Sequence, residues 1–415
     1  MRKVHQRCFL TVILNILFFV QVFAQNSIVL RGQVVDDQTN APIPFATLEV
    51  LGTSVGTVAN EEGFFRFSVD QQIGDSLGIH SVGYQYKFIE IPPAYDNDKL
   101  MIHLSAQTKM LSEVVVGDMK ITPRRILQKS ARNIRKNYPT KPYVLNGYYR
   151  DYLKRKKGGY ICFLESAVDM IDPGFQKTQN KIKLNLEQLR LSDSYLKNYH
   201  EFVKADQHDT TKVLLHGVLP SLKGNEFASM LFHDPLRNHF ESVPFIGSFE
   251  DLWESSYHFE LDYYTYIGED EVYVISIQPN PKLNYWHVDV EGQLFIRVKD
   301  YAVMKINYNY FVTKKLERKK WYELNLEYTD QGGKLYLKYL SYMNYFKIFN
   351  GRETAEISQY REFFVNSVVP GKPDLTQMKG ELVDLSKPMF EQKVPDIPNY
   401  WDDYNYLLLG QPLME

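Results

Sequence analysis

The residues with chemistry to offer are ten histidines, two cysteines and a short acidic series at Glu165, Asp169 and Asp172. A protein zinc site needs histidine and cysteine at short fixed intervals, so that three or four ligands converge on one ion. His233 and His239 have Asp234 and Glu241 nearby, and His200 and His208 flank a polar stretch, but no spacing matches H-E-x-x-H or a Cys/His framework. No metal and no cofactor are expected. Paired carboxylates act as acid and base only when a substrate bond fits between them. On an extended strand Glu165 and Asp169 share a face, whereas Asp172 falls in the following Asp-Pro-Gly turn, so the series does not converge. Gly74-Asp75-Ser76-Leu77-Gly78 satisfies G-x-S-x-G, yet a serine nucleophile needs a strand-to-helix elbow, and Ile79 to Tyr84 reads as another strand with its own turn. Cys162 alternates with strand residues in ICFLES, which predicts a buried structural thiol. With no phosphate-cradling loop or dinucleotide fingerprint either, the chain is expected not to be an enzyme.

The elements around these residues are mostly strands. From Ile28 to Gly117 apolar residues alternate (Val29, Val34; Ala46, Leu48, Val50; Phe65, Phe67, Val69), and turn chemistry such as Asp36-Asp37, Thr39-Asn40 and Asn60-Glu61-Glu62-Gly63 recurs every 8 to 12 residues. That spacing predicts a small antiparallel sandwich. The order GQVVD, APIPFATLEVLGTSVGTVANEEGFFRF, DSLGIHSVGYQ and LSEVVVG resembles the carboxypeptidase-regulatory-like domain found at the front of secreted and outer-membrane proteins of Bacteroidetes, including many TonB-dependent receptors. The resemblance implies a seven-strand Greek-key β-sandwich without catalytic residues. Beyond Lys120 too little chain remains for a receptor barrel of ~22 strands with its loops and plug.

Met1 to Ala24 has the form of a secretory signal peptide: Arg2, Lys3 and Arg7, an apolar run from Phe9 to Val20, and small residues before Gln25. Its removal leaves 45 basic against 50 acidic residues, which gives no charge argument for nucleic acid. The expected location is the periplasm or the outer membrane.

Thr122-Pro123 is a helix start, with threonine as N-cap and proline at the first helical position. A helix over 123–138 is predicted, with Leu127, Ala131, Ile134 and Tyr138 on one face and Arg124, Arg125, Lys129 and Arg132 among the cations on the rest. Those four are the candidate contact for an anionic partner. From Lys141 to about Val365 strand alternation dominates. Tyr257, Phe259, Leu261 and Tyr263 share a face, as do Tyr322, Leu324, Leu326 and Tyr328, with polar residues opposite. Gly268-Glu269-Asp270, Gln331-Gly332-Gly333 and Asn350-Gly351 read as turns. The strand-turn-strand at Gly292–Arg297 and Asp300–Ile306 is similar to one in periplasmic LolA- and LolB-like lipoprotein carriers. Prolines 370, 373, 388, 395 and 398 precede an aromatic tail at Tyr400–Tyr406.

The expectation is a mainly β protein: signal peptide 1–24, sandwich 25–105, linker 106–122, helix plus larger antiparallel domain 123–365 (a curved sheet or half-barrel with a few helices), and an extended strap 366–415. One sheet face is apolar and must be covered by protein or ligand. The function expected is non-catalytic binding of a lipid, a lipoprotein segment or an envelope partner protein, with Tyr322, Leu324, Leu326 and Tyr328 as lining. A glycan- or peptide-acting hydrolase and a purely structural adaptor are the alternatives.

Overall fold

The computed structural model describes residues 27–53, 55–70, 76–91, 99–107, 121–156, 159–176, 181–192, 213–214, 225–240, 257–280, 288–314, 317–349, 354–394, 397–402 and 404–408. The signal segment, most of the linker, the Gly74-Asp75 and Asn350-Gly351 turns, His200, His208 and Glu241 lie outside the described residues.

The front module contains seven strands: β1 (Ser27–Asp36), β2 (Thr47–Val50), β3 (Gly56–Val58), β4 (Phe64–Asp70), β5 (Ser76–His80), β6 (Lys87–Glu90) and β7 (Leu100–Leu104). They form two sheets, ordered β4-β1-β7 and β3-β2-β5-β6. The alternation closes the core between them, with Leu30, Val34, Leu48, Phe65, Leu77 and Ile79 all fully buried; each contributes about 1.5–3 kcal/mol. The sandwich is not wholly antiparallel as expected: β1 and β7 run parallel, from Gly32 opposite Leu100 to Asp36 opposite Leu104. Gly32 is required there, since a Cβ would stand 2.1 Å from the Leu100 carbonyl oxygen. Ser76 opens β5, so the G-x-S-x-G serine starts a strand and sits on no elbow.

After the linker come α1 (Pro123–Arg132) and α2 (Ile134–Asn137). Thr122 accepts from the Arg125 amide as the N-cap, but the expected single helix is broken at Asn133. The Asn133 and Asn137 amides both donate to the Asp300 carbonyl, at 2.9 and 3.1 Å. The helix pair is thereby docked on a sheet turn, and docking outweighs continuity.

The large sheet is built from β8 (Tyr143–Arg155), β9 (Tyr160–Asp172), β10 (Lys183–Leu191), β11 (Val213–Leu214), β12 (Tyr257–Ile267), β13 (Asp270–Pro279), β14 (Val288–Arg297), β15 (Val303–Lys314), β16 (Glu317–Gln331), β17 (Lys334–Phe349), β18 (Thr354–Pro370) and β19 (Glu381–Leu382). Its order is β12-β13-β14-β15-β16-β17-β18-β8-β9-β10-β19, with β11 paired to β17. It is antiparallel and open, ending at β12 and β19. Between β10 and β12 lies the short helix α3 (Glu226–Leu231), N-capped by Asn225. The last long strand, β18, continues past residue 365 to Pro370.

One face of this sheet carries the main core, covered by α1, α2 and the segment 225–240. Register puts Asp151, Arg361, Tyr342 and Leu324 in one row across β8, β18, β17 and β16 on that face. The opposite face is not uniformly polar as expected. Tyr148, Tyr339 and Phe364 are buried there against Val58 and Phe45 of the front module and Trp401, Tyr404, Tyr406 and Leu407 of the tail. On β12 the expected face is interrupted by a bulge between Leu261 and Tyr263, after which Tyr264, Thr265 and Ile267 are the buried residues.

Candidate functional site

The helix-covered face holds a polar cluster that sequence reasoning missed. Its hub is Arg361 on β18, 1% exposed, whose Nε donates to Asp151 on β8 at 2.8 Å. The Gln359 amide donates to the same carboxylate at 3.0 Å. Above them stand Glu226 of α3 and His233, both nearly inaccessible. The Glu226 carboxylate accepts from the Met389 amide at 2.8 Å. Burial pushes this carboxyl up to about 7 against the pull of Arg361. Burial, reinforced by Arg361, pushes His233 down to about 4, so its ring is neutral at physiological pH. That ring stacks on Tyr342 with centroids 4.6 Å apart.

Among the described residues, Arg361 Nη2, Gln359 Oε1, His233 Nδ1 and the Tyr342 hydroxyl have no hydrogen-bond partner, although all are buried. Each such atom costs about 1–3 kcal/mol if left unsatisfied. A polar occupant would remove that cost.

The residues expected as lining are all in this core, but they meet different neighbours. Tyr322 stacks on Tyr310 at 4.9 Å and leans on Tyr342 at 5.0 Å, next to the polar cluster. Leu324 and Leu326 are fully buried below the cover. The Tyr328 hydroxyl donates to Asp234 at 2.6 Å, and its ring meets the edge of Tyr138. It is a brace between sheet and cover.

Of the four cations expected to meet an anionic partner, Arg124, Arg125 and Arg132 are exposed. Lys129 is turned onto Tyr301, with Nζ 2.8 Å from the hydroxyl. The acidic series is held apart. Tyr148 and Arg190 bind Glu165, and the Asn146 and Asn185 amides bind Asp169, which burial raises to about 6. Asp172 ends β9 fully buried; its Oδ1 accepts from the Gly174 amide at 2.7 Å, holding the expected Asp-Pro-Gly turn, while Arg237 grips the carboxylate at 2.6 and 2.9 Å. Burial raises the Cys162 thiol to about 12, which leaves almost no thiolate. No cluster of three or more metal-binding side chains occurs among the described residues.

An opening of about 180 Å³ lies at the seam between front module and sheet, lined by Thr47, Glu49, Tyr86, Glu327, Asp330 and Lys338, among others. Thr47 donates to Glu327 across it at 3.1 Å. Lys338 is buried at a bulge of β17 and donates to the Val365 carbonyl at 3.1 Å. Burial pushes its amine down to about 8.

No helix of the described residues is long and apolar enough to cross a membrane, which leaves strand-built spans untouched. Weak likenesses exist to a DUF1329 family protein from Desulfovibrio piger (8% identity, 57% of this chain, 88% of the other, TM-score 0.21) and to lipovitellin (9%, 58% and 26%, TM-score 0.21). The TonB-dependent receptor SusC of Bacteroides thetaiotaomicron is 35% identical over 107 residues, 26% of this chain. The match spans about a tenth of that receptor's length. The family model for the CarboxypepD_reg-like domain matches residues 30–116, the stretch in which all seven strands of the front module fall except the first residues of β1, and the chain therefore carries a CarboxypepD_reg-like domain at its front.

Proposed function

We propose that this is a non-catalytic protein of the bacterial cell envelope that binds an amphiphile, a lipid or the acylated segment of a lipoprotein, between the large sheet and its helical cover. The observation that carries the reading is the buried set of unpartnered polar atoms around Arg361, placed beside a continuous aromatic and aliphatic stripe. Polar groups beside an apolar wall suit a ligand with one wet end and one greasy end. Acyl burial contributes ~0.8 kcal/mol per CH₂, so a partly enclosed chain already gives useful affinity. The envelope assignment is supported by the front domain and by the receptor segment it resembles. Nothing in the acidic series or at Ser76 is arranged for hydrolysis, which supports the non-catalytic reading.

The test is native mass spectrometry of the protein purified from its own host, followed by organic extraction. The expected result is a bound species of lipid mass released on denaturation. A clean apo mass from gently handled protein would count against the proposal.

A further inference from the structure

We propose that the Arg361 cluster holds the head of a single-chain amphiphile bearing one carboxylate. This rests on the amphiphile reading above and adds the chemistry of the head.

The donors come first. Arg361 Nη2 carries hydrogens with no acceptor among the described residues, and the Tyr342 hydroxyl and His233 Nδ1 are free to donate beside it. Tyr342 is directly opposite Arg361 in the β17–β18 register, and its ring is covered by His233, so the three groups are neighbours on one patch of the sheet. A carboxylate, with two oxygens and about four lone-pair sites, accepts several such bonds at once. Gln359 Oε1 is an acceptor and would repel an anion placed against it, so the head belongs on the Nη2 side of Arg361.

Charge limits the head to one negative unit. The charged and titratable groups facing Glu226 are Arg361 of β18 and Asp151 and Tyr149 of β8. His233, from the same covering segment, faces Arg361 and stays neutral. Arg361 and Asp151 cancel, which leaves the Glu226 carboxyl as the group able to compensate an incoming anion by taking up one proton. A doubly charged phosphate head would leave a charge uncompensated in a buried setting, which is strongly disfavoured. Carboxylate binding is therefore coupled to protonation of Glu226.

The experiment is calorimetric titration of the delipidated full-length mature protein with dodecanoic acid, dodecanol and dodecyl phosphate, at pH 6 and pH 8. The acid is expected to bind at pH 6, with the alcohol at least tenfold weaker there and the phosphate at least tenfold weaker than the acid at pH 8, where its head is doubly charged. The Kd for the acid should rise toward tenfold per pH unit above about 7. Glu226→Gln should abolish that pH dependence. Tyr342→Phe should raise the Kd about tenfold without lowering the unfolding temperature, because it deletes a hydroxyl that has no partner in the protein. Equal, pH-independent affinity for acid and alcohol would overturn the carboxylate assignment while leaving the amphiphile reading intact. Tighter binding of the phosphate would do the same. Failure of all three probes to bind would overturn both, and a destabilised Tyr342→Phe would show that the hydroxyl is structural and remove the premise.

Discussion

Glu226 and Asp172 show how differently two buried carboxyls can be handled. Asp172 meets Arg237 in a two-bond pair, both side chains under 5% exposed. Truncating one partner of such a pair strands the other charge in the interior, so Asp172→Ala is expected to cost about 3–5 kcal/mol in urea denaturation. Glu226 has backbone amides and the pull of Arg361 but no ion-pair partner bonded to it among the described residues, and burial raises its carboxyl to about 7 instead. Its folded-state pKa lies above the unfolded value, so the neutral form stabilises the fold at low pH. That contribution is lost as pH rises from about 4.5 to about 7. Glu226→Gln cannot ionise; it should match the wild type near pH 4.5 and exceed it by on the order of 3 kcal/mol at pH 8. No pH-dependent difference between the two would show that Glu226 is solvated. Neither role was legible in the sequence. Asp172 read as part of an Asp-Pro-Gly turn, and no motif in the sequence singled out Glu226.

At the scale of elements, the tail 397–408 binds through backbone as much as through rings. Arg66 of β4 donates to the Asp402 and Tyr404 carbonyls at 2.5 and 3.2 Å. Arg150 of β8 donates to the Leu407 and Leu408 carbonyls, both at 3.1 Å. The Asn405 side chain bonds both the amide and the carbonyl of Ser68, as a neighbouring strand would. Trp401 and Tyr406 lie under the Arg190 guanidinium. The prolines and aromatics read as an extended strap; residues 397–402 and 404–408 also grip the front module, through Arg66 and Ser68. Deleting residues 397–415 uncovers Tyr148 and Phe364 and removes the tail carbonyls that Arg66 and Arg150 bind. The expected loss is on the order of 5 kcal/mol from apolar burial, with a matching rise in binding of a hydrophobic dye. Unchanged thermal unfolding of the truncated protein would show that the strap is a passenger.

At the scale of the molecule, front module and sheet are joined by the strap on one side and by the Lys338 seam on the other. Lys338 is a base whose folded-state pKa, about 8, lies below its ordinary value near 10.5. Its charged form is therefore penalised in the folded state. The penalty is complete below about pH 8 and fades as pH rises to 10.5. Lys338→Met should be more stable than the wild type by on the order of 3 kcal/mol at pH 7, with the advantage largely gone at pH 10. A Met variant less stable at pH 7 would mean that Glu49 and Glu327 need the charge. The packing also bears on the proposed function: with the front module and strap on one face and the helical segment on the other, a ligand must enter under the helical cover.

Strand identity, the turns at 268–270 and 331–333, the cap at Thr122, the seven strands of the front module and the buried thiol were all determined by the sequence alone. Each depends on side-chain period or turn chemistry within a few residues, and such local preferences survive whatever the distant chain does. Only the tertiary structure decided who meets whom. Asp151 and Arg361 are 210 positions apart, Glu226 and Met389 are 163, and Ser68 and Asn405 are 337. The partner of a buried polar group is chosen by strand order and register summed over the whole sheet, and a slip of one residue turns every side chain to the other face. The proposed site is made entirely of such choices, which is why no motif announced it.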